Sequence, residues 1–438
     1  MQELKVDQKE LEKRIKHVVS LSKEIPWYVR KYKELGIDPD EIRSPQDLLK
    51  AYEKGLYTTP QDLPELVYYK HPEAKGPFYT SGTSGKPKEI WLNPDDEKWF
   101  APQIARAYEK GLRKSDKILS CLPSPPATSG HMVHRSLSLH GYNFLHLPPQ
   151  ELRENLQNFV EKYKKFNPNV LTSLTTFAYR LPLTLQAFGI QPNFESVFPG
   201  GEPSTVERRK KMGEELNGLV YDLYASAEGG IMAYEIEPFS DEHIISFPET
   251  LIFLTRNNEI VESGESGYIL LSNLPPLNVS KPYMVLLNYR IGDWAKCVRR
   301  EDNGIVTSIS EIRRESAYLA GAKLNPQEVE KAIEELEDYK KELTGEYFIV
   351  TYSDNQRRAI AEVRIEGRKN LSLEDKKKID KRIRERIYSA NFPVWNEVEN
   401  TKNAGLLIEV TNPGELYKGY EQYIRPGKPK RLLVLTDV

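Results

Sequence analysis

The chain has 438 residues, 39% of them hydrophobic and 29% charged, with Lys+Arg 62 against Asp+Glu 64 and a formal net charge of −2. That length supports about two or three domains whose cores need no staples. The balanced charge removes the electrostatic basis for nucleic acid or an anionic membrane as the main partner. The cysteines, Cys121 and Cys297, are too few for a disulfide framework or a multi-cysteine zinc site within one chain, and they fit a reducing compartment. The opening MQELKVDQKELEKRIKHVV has no apolar signal-peptide core, and no run of about 18 apolar residues occurs; both predict a cytoplasmic protein with no membrane partner.

Residues 2–24 predict an amphipathic helix, with Leu4, Leu11, Ile15 and Val18 at helical spacing, ended by Ile25-Pro26. Short helices broken at Asp38-Pro39 and Thr59-Pro60 follow over 27–70. Residues 79–92, YTSGTSGKPKEIWL, interleave Thr80, Ser81, Thr83 and Ser84 with Gly82 and Gly85, then add Lys86-Pro87-Lys88. Flexible backbone, small hydroxyl donors and positive charge together suit a loop that wraps a polyphosphate. It is not the ordinary nucleotide P-loop: only Thr83 and Ser84 separate the glycines, and Lys86 precedes proline rather than Ser or Thr. The competing reading is a Ser/Gly surface turn before a strand.

A helix is expected over 95–114. Strand and helix signals then alternate: strands KILSCLP (117–123) and YNFLHLP (142–148), helix 150–165, strand 169–174, helix 175–187, strand 196–201, helix 204–215 and strand GLVYDLY (218–224). This order predicts parallel strands with crossover helices, whose ligands sit at the carboxyl ends of the strands. From about 230 to 310 the runs TLIFLT, YILLSNL, MVLLNY and AKCVRR predict a more antiparallel β region. After about 312, AEVRIEG (361–367), a helix near 372–389 and LLIEV (406–410) predict a small α+β domain. There the charge run KKKIDKRIRER (376–386) carries Ile379 and Ile383 and reads as a solvated helix face.

Four further motifs are each weak alone. Gly200-Gly201-Glu202-Pro203 at a strand end permits close approach of a flat ligand, with Glu202 accepting from a base or ribose; taken by itself, an ordinary strand-to-helix turn is the better reading. In YASAEGG (224–230), Tyr224 supplies a stacking surface and Glu228 an oxygen ligand of the type magnesium prefers beside phosphates. In NYRIGDWA (288–295), Asp293 after glycine in a tight turn is suited to grip two ribose hydroxyls, though Gly-Asp is also common in hairpins. In RPGKPKR (425–431), Lys428 beside glycine can be delivered to developing negative charge, or can simply face solvent.

Taken in order, the hydroxyl/glycine loop, GGEP, aromatic-x-x-x-Glu, Tyr-Arg-x-Gly-Asp and the late Gly-Lys resemble the adenylate-forming enzymes: acyl-CoA synthetases, luciferases and peptide-synthetase adenylation domains. Within that superfamily IPWYVRKYKELGIDPDEIRSPQDL (25–48), TTPQDL (58–63) and EHIISFPETLIFL (242–254) are similar to the phenylacetate–CoA ligase branch. The resemblance implies an α/β fold. A large N-terminal portion, 1–311, has mostly parallel sheets flanked by helices plus a small β region at about 230–310, and binds ATP and acid. A small mobile α+β domain, 312–438, carries the catalytic lysine. It also implies ATP-dependent activation of a small-molecule carboxylic acid to acyl-AMP with pyrophosphate release, then transfer to coenzyme A, with Mg²⁺ as cofactor. An aryl or medium apolar acid is the branch's default.

Carried over by position, the resemblance implies that Thr80, Ser81, Gly82, Thr83, Ser84, Gly85 and Lys88 contact the outer phosphates, with Thr83 among the catalytic groups. Gly201 and Glu202 border adenine, Tyr224 stacks on it, Glu228 holds Mg²⁺ and Asp293 binds the ribose hydroxyls. Arg313 is a second ribose contact, Lys428 bridges the acid and the α-phosphate, and His131, His134 and Gly200 line the acid pocket; structural histidines are the alternative for the first two. This sequence departs in two places. Ala227 stands where a hydroxyl usually precedes the glutamate, with Ser226 one residue earlier as a substitute contact. The hinge stretch EIRRESAYLAGAKLNPQEVE (311–330) lacks the usual Gly-Arg-x-Asp start, and Glu315 takes the place of the pivot aspartate. Tyr234-Glu235 stand near the position where some relatives carry zinc-binding cysteines, so no zinc is expected. Two alternatives remain open at this point: adenylation with a non-CoA acceptor (a deazaflavin hydroxyl, an amine or a protein), and a nucleotide-binding pseudoenzyme.

Overall fold

A computed structural model of the chain describes residues 7–79, 89–125, 127–201, 204, 206–314, 317–319, 322–324, 329, 332–333, 335–339, 341–390, 395, 404–421 and 432–435. The chain divides into two compact units, the first made of residues 1–80, 88–178 and 182–314 and the second mainly of 315–438. The phosphate-loop residues Thr80 to Lys88, together with Glu202, Glu315 and Lys428, lie outside the described residues.

The first unit opens with α1 (Gln8–Ser22), α2 (Pro26–Leu35) and α3 (Pro45–Glu53). Asp7 caps α1 by accepting from the Lys9 and Glu10 N–H groups, Pro26 starts α2, and Gly36 ends α2 in the left-handed conformation (φ 61°). These are the start and stop devices helix termini require. Strands β1 (Lys75–Tyr79) and β2 (Glu89–Leu92), which flank the phosphate-loop sequence, pair antiparallel with Tyr79 opposite Glu89.

The expected alternation follows as α4 (Glu97–Tyr108), β3 (Lys117–Cys121), α5 (Thr128–Leu139), β4 (Asn143–His146), α6 (Pro149–Glu154), α7 (Leu156–Phe166), β5 (Val170–Leu174), α8 (Thr175–Gln186), β6 (Ser196–Gly200), α9 (Val206–Leu216), β7 (Leu219–Val220) and β8 (Leu223–Ser226). Strands β3 to β8 pair parallel in the order β4-β3-β5-β6-β8, with β7 also on β6. Residues 170–173 of β5 and 196–199 of β6 are buried without alternation, as strands covered on both faces must be. The single helix expected over 150–165 is two, because Asn155 leaves the helical conformation and its side chain caps α7 through the Asn158 N–H.

The β region is not a separate body. Strands β9 (Gly230–Glu235), β10 (His243–Ile245), β11 (Thr250–Arg256), β12 (Glu259–Ile260), β13 (Ser266–Asn273), β14 (Tyr289–Arg300) and β15 (Val306–Arg314) continue the same thirteen-stranded sheet. The order runs β8-β9-β10-β15-β14-β13-β11-β12, and every pair in this half is antiparallel. The expected strand MVLLNY (284–289) is irregular as far as Asn288. Its backbone is buried, so side chains satisfy it: the Leu287 N–H donates to Tyr28 Oη (2.9 Å), the Leu286 N–H to Asn273 Oδ1 (2.7 Å) and the Asn288 N–H to Ser272 Oγ (2.9 Å). The apolar run arises because this segment is packed among the N-terminal helices and the sheet, not because it is a strand.

The second unit has a two-stranded pair, β16 (Ala317–Leu319) with β17 (Ala322–Leu324). It also has a four-stranded sheet of β18 (Leu343–Ser353), β19 (Ala359–Gly367), β20 (Ala404–Thr411) and β21 (Leu432–Val434), in the order β20-β19-β18-β21. Helix α10 (Leu373–Ala390) buries Ile379, Ile383 and Ile387 completely against this sheet while its lysines face water. The charge run is thus a solvated face at four-residue spacing. Ile383→Ala is expected to destabilise the second unit by about 2–5 kcal/mol and Lys381→Ala by less than about 0.5 kcal/mol. Urea denaturation of both variants checks the contrast; equal effects would reject this facing of the helix.

Candidate functional site

Three motifs far apart in sequence meet where the sheet changes from parallel to antiparallel. Strand β6 ends at Gly200, which pairs with Leu223 at the start of β8. Gly201 follows with φ 79°, and a Cβ there would come to 3.0 Å from Leu174 Cδ2. One residue along β8, the Tyr224 hydroxyl donates to Asp293 Oδ2 at 2.8 Å, and both residues are 4% exposed. The YASAEGG and NYRIGDWA motifs are therefore physically joined.

Asp293 does not sit in the expected tight turn. It lies within β14, where the register against β13 shifts between Tyr268 opposite Trp294 and Leu270 opposite Arg290. Gly292 in that bulge has φ 87°. Bulges re-aim a side chain without ending the strand, and here the left-handed glycine supplies the bend. Arg313 lies on β15 with its backbone paired to Trp294, one position from Asp293.

The turn after Tyr224 carries Ser226 and Glu228. Ser226 Oγ accepts from the Gly229 N–H at 2.9 Å, so its hydroxyl braces the turn. Glu228 accepts a long hydrogen bond (3.4 Å) from the Tyr289 hydroxyl. Burial, then the negative charges of Glu228 and Asp293, push the Tyr289 hydroxyl well up, so it remains a donor. Among the described residues no cation pairs with Glu228, whose hard carboxylate fits a divalent ion such as Mg²⁺ beside phosphate oxygens.

Two supports were not legible in the sequence. The first is Gln103 on α4. Its amide donates to Thr250 Oγ1 (2.9 Å), and its Oε1 accepts from the Ile231 N–H (3.0 Å). A Cβ at Gly230 (φ 66°) would come within 2.2 Å of that Oε1, which is why glycine is required after Gly229. A lone amide on a helix face otherwise made of Trp99, Phe100, Ile104 and Ala107 was the available signal.

The second support is a buried ion cluster. Arg209 is fully buried; it donates to the Ser204 carbonyl (2.6 Å), just past the GGEP motif, and to Glu235 Oε1 (2.8 Å). Glu235 also accepts from the Asp222 N–H (2.9 Å) and the Asp241 N–H (2.7 Å). His243 places its ring nitrogens against Asp222 Oδ2 (3.2 Å) and the Asp241 carbonyl (3.1 Å). Burial pulls the His243 pKa down, but the Asp222 carboxylate outweighs it and leaves the imidazole more basic than usual. The cluster ties Ser204, just past the GGEP turn, to Asp222, the residue before β8, and so braces Gly201 relative to Tyr224.

His131 and His134 lie on one face of α5 and, with His146 at the end of β4, line a cavity of about 360 Å³. His134 Nε2 is 2.7 Å from Ser120 Oγ, and its ring stacks on Phe144 (5.1 Å, 13°). Burial, then the neighbouring His146 and His131, lower its pKa to about 4. Between that value and the ordinary imidazole value the unfolded chain binds more protons, so stability falls as pH drops through this window. Urea midpoints at pH 7.5 and 4.5 should therefore fall less in His134→Phe than in the parent; equal losses would reject the buried neutral imidazole.

Residues 72–283 match the family model described as AMP-binding enzyme. The chain is 24% identical over 290 residues to a phenylacetate–coenzyme A ligase of Pseudomonas putida, covering 61% of each chain. It is 25% identical over 304 residues to one of Thermus thermophilus, covering 64% of each. The chain thus spans less than two thirds of the length of either relative. A crystal structure of 2-hydroxyisobutyryl-CoA ligase with 2-HIB-AMP and CoA aligns with a TM-score of 0.74 at 17% identity, over 98% of this chain and 89% of that one, which shows a shared fold. The matched model, the two ligase relatives and the shared fold agree with the order of motifs through the joined Tyr224–Asp293 pair: residues 72–283 match an AMP-binding enzyme domain, and the chain is similar to the phenylacetate–CoA ligase-like branch of the adenylate-forming enzymes.

Proposed function

We propose that the protein uses ATP to activate a carboxylic acid as acyl-AMP and then transfers the acyl group to coenzyme A. The observation that supports this reading is the 2.8 Å bond from Tyr224 to Asp293, which joins the aromatic ring and the carboxylate beside the Gly200–Leu223 pairing that precedes Gly201. Adenine against Tyr224 and Gly201 leaves the ribose hydroxyls facing Asp293, with Arg313 as the second ribose contact. Such fixation makes the first step a positioned displacement. A carboxylate oxygen of the acid forms a bond to the α-phosphorus, and the bond from that phosphorus to the bridging oxygen breaks, releasing pyrophosphate. Glu228 would hold the magnesium ion, which supplies charge neutralisation for the phosphate oxygens.

Thr80, Ser81, Gly82, Thr83, Ser84, Gly85 and Lys88 would hold the outer phosphates, with Glu202 beside the base. Lys428 would bring its charge to the acid and the α-phosphate. Ser226 Oγ, already bonded to the Gly229 N–H, would keep Glu228 in register rather than act alone on phosphate. In the second step the CoA thiol sulfur bonds to the acyl carbon, the acyl–phosphate oxygen bond breaks and AMP leaves.

Acid-dependent ATP–pyrophosphate exchange tests the first step, and AMP-coupled loss of free CoA thiol tests the second. Lys428→Ala should lower the exchange rate by about 10²–10³-fold, the effect of removing one well-placed electrostatic donor. Exchange equal to the parent's would reject the assignment.

A further inference from the structure

The cavity lined by His131, His134 and His146 lies at the carboxyl ends of β3 and β4, since Ser124 follows β3 and His146 is the last residue of β4. Gly200 ends β6 on the same edge, because these strands are parallel. Two strand spacings separate β3 from β6, roughly 10 Å, a span suited to an acid whose carboxylate reaches the nucleotide. For an apolar aryl acid the cavity is unexpectedly polar. Phe78 lies against His131 (5.2 Å) and Phe144 against His134, giving apolar walls, but the imidazoles stand between them.

The hydrogen-bonding state of each ring is specific. His146 Nε2 faces the Leu122 carbonyl at 3.0 Å; a carbonyl only accepts, so this nitrogen carries a proton and Nδ1 is the ring position left to face a ligand. Among the described residues, His131 makes no hydrogen bond through either ring nitrogen. Burial, and then the opposing effects of Glu97, Lys75 and Arg135, leave its pKa lowered. Arg135, the one cationic side chain of fixed charge in the lining, is already paired with Glu97 at 2.8 Å. The cavity therefore offers imidazole hydrogen-bonding groups, and its one fixed positive charge is already paired. That favours a hydroxyl over a second carboxylate and over a bare hydrocarbon.

We propose that the acid activated by this protein carries a hydroxyl group remote from its carboxylate, read by His131 and His146. This rests on the adenylation reading above. The test is ATP–pyrophosphate exchange with matched acids: phenylacetate against 4-hydroxyphenylacetate, and hexanoate against 6-hydroxyhexanoate with adipate as a third member. The parent protein should show kcat/KM about tenfold higher for the hydroxylated member of at least one pair. His131→Phe and His146→Phe should bring that ratio toward one. An unhydroxylated acid or adipate preferred in both sets, or a hydroxyl preference that survives both substitutions, would overturn the proposal while leaving adenylation intact. Exchange with none of these acids, alongside none with any other carboxylic acid, would overturn the adenylation reading and this proposal together.

Discussion

The hydrogen bond from the Tyr224 hydroxyl to the Asp293 carboxylate depends on a change of strand direction. Up to β8 each strand runs parallel to its neighbour and its carboxyl end reaches one common edge. At β9 the chain turns back, and the antiparallel half follows in the order β9-β10-β15-β14. Three strands, β9, β10 and β15, stand between β8 and β14 in the sheet, and the Tyr224 side chain nevertheless reaches an aspartate 69 residues later. The bulge at Gly292 then sets the angle of the carboxylate. Neither half of the sheet holds the pair by itself.

The buried cluster around Arg209 explains how the seam keeps its geometry. An ion cluster of this kind is not a strong source of stability, because desolvation cancels much of its Coulomb gain. Its partners are directional, however. Arg209 reaches the Ser204 carbonyl and Glu235, while Glu235 takes N–H groups from Asp222 and Asp241. An apolar core at this point would fill the same volume without specifying where the GGEP turn ends relative to Tyr224. Gln103 performs the matching task on the far side of the motif, where it links α4 to the backbone at Gly229 and Ile231 and to Thr250.

Much of the parallel half was readable because its signals are local. Apolar runs closed by Pro123 and Pro148, and the glycines at the end of β6, punctuate the chain without help from tertiary structure. The same locality explains the misreadings. Gly292-Asp293 suits a hairpin as well as a bulge, and only the opposite strand decides between them. The run 284–289 is apolar because it is buried, a property that strands and satisfied irregular segments share. Asn155 splits one helix into two through a cap that a helical period does not register. No sequence motif links Arg209, Asp222, Glu235 and His243 to one another: their link is spatial, and a charged residue in a helix reads as solvent-facing until its partners are known. The carry-over of Tyr224, Gly201, Glu228 and Asp293 rested on the order of motifs, and the described residues bring these four to one region.

The most direct measurement is a double-mutant cycle on Tyr224→Phe and Asp293→Asn, read as the dissociation constant for ATP by calorimetry. If the bonded pair forms one nucleotide platform, each single substitution weakens binding. The double variant should then lose less than the sum, with a coupling of about 1–2 kcal/mol. Losses that add to within about 0.3 kcal/mol, or affinity unchanged in all three variants, would contradict a nucleotide site built on this seam.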